Sequence, residues 1–166
     1  KKIVELGALR QMTASLPDTS AVSWSSIMTG KNPGEHGIFG FTDLIPKTYT
    51  LRFPNSTNMK YPPYWIQKPD RKYVIINLPF TYPAIKLNGT LISGFLSPNI
   101  ERSVFPETML DYVKSTNYQT DVDTRKIYQS KDLFFKDLVS VHNIRSAFYK
   151  ELWKSHQWDT FMIVFT

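Results

Sequence analysis

Leu16-Pro17-Asp18-Thr19-Ser20-Ala21-Val22-Ser23-Trp24-Ser25-Ser26-Ile27-Met28-Thr29-Gly30-Lys31-Asn32-Pro33-Gly34-Glu35-His36-Gly37-Ile38-Phe39 is a run of small hydroxyl residues leading into a short apolar-periodic segment. The segment stops at Gly30, and an Asn-Pro-Gly turn follows. This pattern reads as a loop feeding a short helix, with Ser20 at the helix entrance. A hydroxyl there faces unpaired backbone N–H groups and the positive end of the helix dipole. The same place suits a phosphate. Ser20 therefore has two readings: an N-cap, the usual employment of a serine in that position, or a nucleophile beside an anion site.

Away from this stretch the chain alternates helical and strand-like patterns. Lys1 to Leu6 reads as a helix stopped by Gly7, and Ala8 to Ser15 as a strand. Asp43 to Pro69 holds Pro46, Pro54, Pro62, Pro63 and Pro69 and reads mostly as an ordered loop excursion. Lys72 to Leu78 has a continuous apolar centre, the signature of a strand buried on both faces of a parallel sheet. Thr90 to Gly94 is a second short strand. Pro106 opens a helix running to about Lys114. Asp121-Val122-Asp123 reads as a short strand or a turn.

Lys131 to about His156 is the strongest helix. Phe134, Leu138, Val141, Ile144, Phe148 and Leu152 recur at three- and four-residue steps and give one apolar face, with Ser130 as the cap. The apolar run Phe161 to Phe165 closes a β–α–β-like pattern.

The chain's 166 residues suffice for one domain with a real core, and a hydrophobic content of 42% marks a globular protein. Twenty basic and fourteen acidic side chains leave a net charge of +6, scattered without a dense block. That balance helps attract phosphate-bearing molecules. No motif for binding a nucleic-acid polymer is present, and none is expected as a partner. The absence of cysteine rules out disulfides, Cys-based metal sites and thiol nucleophiles, and fits a reducing, cytoplasmic compartment. No run approaches the ~18 apolar residues of a membrane span, and no secretory signal is visible. Asn55 and Asn88 begin N-x-[ST] sequons, which matter only in a secreted protein.

Trp24-Ser25-Ser26, Thr29-Gly30, Asn32-Pro33-Gly34 and His36-Gly37-Ile38 together resemble the nucleophile segment of the alkaline phosphatase superfamily, in its type I phosphodiesterase/nucleotide pyrophosphatase-like branch. Ile76 to Pro83, Asn88-Gly89, Ile92 to Pro98, Asp121 to Lys126 and Ser130 to Asp132 extend the resemblance over nearly the whole chain. It implies an α/β, alkaline-phosphatase-like three-layer sandwich with a mostly parallel sheet. Residues 1–166 are then a single partial catalytic domain with the excursion at about 43–70. Both ends of the chain look cut, so the sheet is expected to be incomplete.

Aligned back from Thr29-Gly30, the family's nucleophile falls on Ser20. The resemblance implies a covalent phospho-Ser20 and two divalent metal ions, zinc or manganese, one of them bound to the Ser20 oxygen. Such ions activate a hydroxyl that is otherwise a poor nucleophile and stabilise the leaving oxygen. The family's Asp and His ligands belong to segments upstream of residue 1 and downstream of residue 166, so this chain alone is expected to be inactive and its parent active.

Ala21, and less favourably Thr19, would lend a backbone N–H to the phosphoryl group. Ser23 stands where family phosphodiesterases often carry an Asn that touches it. A serine has a shorter reach, which weakens assignment as a nucleotide pyrophosphatase. The implied substrate is small and phosphorylated, of nucleotide-like type.

Sulfatases fit less well, because Val22 and Trp24 stand where their Pro and Arg would be. A phosphoglycerate-mutase-like phosphotransferase and a non-catalytic relative of the fold remain alternatives. A Ser-His-Asp esterase would need a G-x-S-x-G elbow, whereas Ser20 lies between Thr19 and Ala21. His36 is expected to be structural rather than a metal ligand, His142 and His156 to be surface or capping residues, and Trp24 to pack in the core. Asp121 and Asp123, alternating on a strand, would point to opposite faces and could not share a metal.

Overall fold

The computed structural model describes residues 2–165. The chain opens with α1 (Lys2–Glu5) and runs without regular structure to α2 (Ser20–Thr29) and α3 (Pro33–His36). The Pro-rich excursion holds an antiparallel pair, β1 (Asp43–Leu44) and β2 (Leu51–Arg52), and then α4 (Tyr64–Gln67). β3 (Tyr73–Leu78), β4 (Gly89–Ser93) and β5 (Val104–Phe105) follow. α5 (Leu110–Ser115), α6 (Lys126–Gln129), α7 (Lys131–Ser155) and β6 (Thr160–Ile163) complete the chain. Lys1, the first residue of the expected opening helix, lies outside the described residues.

Four strands form the main sheet in the order β5-β4-β3-β6. β3 pairs parallel with both β4 and β6, and β5 runs antiparallel on the edge. All six residues of β3 are buried, as its unbroken apolar run requires of a central strand covered on both faces. Alternation divides its side chains between two cores. Tyr73 and Ile75 join Ala21 and Met28 of α2, Trp65 of α4, and Leu91 of β4. Val74 and Ile76 join Ile92 of β4, Val113 of α5, and Phe148 and Leu152 of α7. The result is a three-layer α/β architecture with a mostly parallel sheet, as in the alkaline-phosphatase-like fold.

The alternation breaks once. Asn77 has φ +60°, and the β3–β4 register shifts between Ile76 and Leu78. That extra residue returns Leu78 to the side occupied by Tyr73 and Ile75.

The long helix α7 matches its expected span, and the Ser130 hydroxyl accepts from the Leu133 N–H at 3.4 Å as its cap. Its buried stripe is Val141, Arg145, Phe148 and Leu152 rather than the full set anticipated. Steps of four, three and four residues follow the helical period, which carries the stripe past Ile144 onto Arg145. The buried guanidinium donates from Nε to the Gln119 carbonyl at 3.0 Å. At the helix's amino end Leu138 is exposed and Phe134 only half-buried.

One expected strand is absent among the described residues. Residues 8–15 form no strand, and Leu9 and Met12 are 82% and 89% exposed. Apolar residues at 8, 9, 12 and 14 do not alternate, so neither face of such a strand would be uniformly apolar. Of the two readings of residues 121–123, a strand or a turn, no strand forms: Asp121 lies in a bend, and the segment is held by Asp123 pairing with Arg125 at 2.8 Å and by Asp137 accepting from the Asp123 N–H at 3.1 Å.

Candidate functional site

α2 is rich in serine, and its burial rests on local hydrogen bonds. Ala21, Val22, Ser25, Met28 and Thr29 form the buried face. The hydroxyls on that face bond back one turn: Ser25 Oγ donates to the Ala21 carbonyl at 2.9 Å and Thr29 Oγ1 to the Ser25 carbonyl at 2.7 Å. Trp24 is partly buried against the same core, the packing role its sequence position suggested. Gly30, with φ +67°, ends the helix in the left-handed conformation that residues with a Cβ disfavour.

The orientation of α2 follows from contacts at its end. The Gln67 amide donates to the Thr29 carbonyl at 3.4 Å, and the Tyr73 hydroxyl donates to the Lys68 carbonyl at 3.0 Å. The carboxyl end of α2 therefore lies beside the start of β3. Ten residues of helix rise about 15 Å, and Ala21 at the other end shares its core with Leu78 and Val164, where β3 and β6 finish. The amino end of α2 thus faces the carboxyl end of the parallel strands, where open α/β sheets form their ligand crevices.

Ser20 is the first helical residue and is exposed. Thr19, extended at φ −132° and ψ 147°, takes the N-cap position but makes no side-chain cap bond, and its buried Oγ1 has no hydrogen-bond partner among the described residues. The first-turn N–H groups, that of Ala21 included, thus lack a side-chain cap from Thr19 and have no intrahelical acceptor. No acidic residue stands in the first turn to occupy the positive end of the dipole.

Ser20 and Ser23 are three residues apart and share one side of the helix. Ser23 Oγ lies 3.4 Å from Ser15 Oγ. The Thr19 N–H donates to the Pro17 carbonyl at 2.9 Å and is thereby occupied.

His36 is fully buried and both ring nitrogens are engaged. Nδ1 accepts from the Ile38 N–H at 3.1 Å, so the proton resides on Nε2, which lies 3.1 Å from Ser26 Oγ and donates to it. Burial lowers the imidazole's pKa, against the opposing charge of Glu35. In this tautomer His36 cannot take a proton from Ser26, so the pair is structural and not a nucleophile–base dyad. His142 is an exposed residue of α7 beside the Phe165 ring, and His156 is the C-cap of α7. Among the described residues no three His, Cys, Asp or Glu side chains converge on a point that could hold a metal ion.

One feature of this end of the sheet escaped the sequence. A groove of about 530 Å³ opens beside the segments that follow β3 and β4. Phe53, Tyr82, Phe95 and Leu96 line it, with Asn55 and Asp121 at its polar margin. The Arg102 guanidinium sits 5.7 Å from the centre of the Tyr82 ring. The usable signal was positional: Tyr82 and Phe95 each come a few residues after a strand's carboxyl end, inside Pro-flanked turns.

The fold and this crevice define a three-layer α/β protein with its candidate site at the carboxyl edge of a parallel sheet and a serine at a helix entrance. The family model for type I phosphodiesterase / nucleotide pyrophosphatase matches residues 1–166. The chain belongs to that family, and the match supports a function of the phosphodiesterase/nucleotide pyrophosphatase type. Comparison with curated proteins and with solved structures gave no match. No helix among the described residues is long and apolar enough to cross a membrane.

Proposed function

We propose that the protein hydrolyses phosphoesters through a covalent phosphoseryl intermediate on Ser20. The observation that carries this reading is an exposed hydroxyl at the first position of a helix whose first turn has no side-chain cap and no acidic residue. Ser20 Oγ attacks phosphorus, the bond to the leaving oxygen breaks, and water later cleaves the phosphoserine, releasing phosphate or a phosphomonoester. The Ala21 N–H and the helix dipole hold the negative phosphoryl oxygens, and the Ser23 hydroxyl donates a further hydrogen bond.

A hydroxyl of ordinary acidity needs activation, and no general base stands beside Ser20 in the bonds described. Two divalent ions, zinc or manganese, are part of the proposal, with the Ser20 oxygen as one of their ligands. The groove lined by Phe53, Tyr82 and Phe95 suits the organic part of a small, nucleotide-like substrate, whose ring can stack there.

The test is turnover of aryl phosphomonoesters and phosphodiesters by the full-length protein, with added Zn²⁺ or Mn²⁺ and with EDTA. Metal-dependent hydrolysis is expected. Clean folding with no hydrolysis of either ester would reject the proposal in favour of a non-catalytic relative.

A further inference from the structure

α2 carries Ser20 at one end, and its other half is tied to the following turn by two buried side chains: Thr29, whose hydroxyl accepts from the Lys31 N–H at 3.2 Å, and His36. His36 closes α3, a one-turn helix opened by an Asn32/Glu35 capping box and by Pro33 at its first turn. Lys31 pairs with Glu35 at 2.9 Å across the same turn. From this rigid platform His36 reaches in three directions. Its Nε2–H donates to Ser26 in the second half of α2, its Nδ1 accepts from Ile38, and its carbonyl accepts from the Lys60 N–H at 3.0 Å. The excursion, the turn and the helix thus meet at one residue with no exposed surface.

The tautomer gives this junction a definite polarity. An imidazolium would present a second N–H where the Ile38 N–H already points, so only the neutral ring satisfies both contacts. The charged groups around it are Glu35, Lys31 and Lys60, with the Tyr61 ring under the Lys31 ammonium at 4.8 Å. None of them reaches a ring nitrogen in the bonds described. Ser26 lies six residues beyond Ser20, less than two turns along the same helix, so a shift of Ser26 along or about the helix axis is passed to Ser20.

We propose that His36 is a positioning residue for Ser20: its Nε2–H bond to Ser26 fixes the register of α2 and thereby the placement of the Ser20 hydroxyl at the carboxyl edge of the sheet. This rests on the reading of Ser20 as the nucleophile. A displacement of about 1 Å at a reacting group suffices to cost about 10²-fold in rate, so loss of the contact lowers kcat while leaving substrate affinity largely intact.

The test combines hydrogen exchange at the α2 amides with steady-state kinetics in the full-length protein. Ser26→Ala removes the partner hydroxyl. His36→Asn keeps an acceptor near the Nδ1 position but cannot reach Ser26, whereas His36→Gln places an amide near the Nε2 position. Ser26→Ala and His36→Asn are expected to speed exchange across residues 22–29 by about tenfold and to lower kcat with KM little changed, at temperatures where denaturation curves show full folding. His36→Gln is expected to recover most of that kcat.

Unchanged exchange and unchanged kcat in Ser26→Ala overturn the proposal, as does a lowered denaturation midpoint with normal kcat, which marks a merely structural contact. Ser20→Ala serves as the control and should abolish turnover without altering exchange. Turnover retained in that variant would overturn the nucleophile reading, and with it the link from His36 to chemistry, while the exchange result would still report whether His36 holds α2.

Discussion

The side-chain amide of Asn77 donates to the backbone carbonyl of Val164 at 2.8 Å, joining the bulge at the end of β3 to the segment just beyond β6. This bond holds two adjacent strand ends together at the edge where the crevice lies. Asn77 is also left-handed, at φ +60°, a conformation asparagine tolerates better than most residues. Asn77→Ala should therefore lose a buried hydrogen bond and add backbone strain, costing about 2–4 kcal/mol of stability. Asn77→Gly, which keeps the backbone freedom, should cost less. Denaturant titration of both variants against the wild type checks the order.

Gly94 follows β4 at the same edge, and its N–H donates to the Leu78 carbonyl at 3.1 Å. A Cβ at this position would stand well inside van der Waals contact with the Asn77 carbonyl. Gly94→Ala should lower stability by about 2 kcal/mol or more. Gly30→Ala meets open space and carries only the left-handed penalty, so it should cost about 1 kcal/mol. Thermal melts of the two variants side by side should show the larger loss at Gly94.

Burial holds the His36 pKa below its ordinary value of 6.5, with Glu35 opposing. The folded state therefore resists protonation more than the unfolded chain does. Its contribution to stability is complete above pH 6.5 and is lost as pH falls below that value toward the folded pKa. His36→Gln removes this term, so the stability difference between wild type and variant should shrink as pH falls below 6.5. Urea titrations at a series of pH values measure it, and a constant difference would argue against a buried neutral imidazole.

Phe95 contributes a ring to the groove and makes an edge-on contact with Phe41, at 6.3 Å between centres. Phe95→Ala should raise KM for substrates with an aromatic leaving group by about three- to tenfold, the worth of one ring–ring contact, and leave KM for a short alkyl phosphoester nearly unchanged. Initial-rate kinetics on the two substrate types would separate stacking from general damage.

Much of this arrangement was legible in the residues themselves. The apolar run from Tyr73 to Leu78 could only be a strand covered on both faces. Gly30 and Ser130 marked helix ends because their chemistry suits those positions whatever surrounds them. The stripe on α7 was harder to read, since Arg145 becomes a core residue only when the Gln119 carbonyl is there to accept its Nε–H. Residues 8–15 form no strand because Ala8, Leu9, Met12 and Ala14 do not alternate and offer no uniformly apolar face to a neighbour. Ser20 is singled out by the order of residues around it, and its chemistry is the part that the proposed experiments test. Asn77, Tyr82 and Phe95 were missed because a bulge and a groove are formed by distant segments meeting, and no local pattern announces them.

The most direct test of the central claim is acid quench of the full-length protein during turnover of a phosphodiester, followed by peptide mass spectrometry. A phosphoryl adduct on Ser20, absent in Ser20→Ala together with turnover, is the predicted result. Full hydrolysis by Ser20→Ala, or an adduct at another residue, would contradict it.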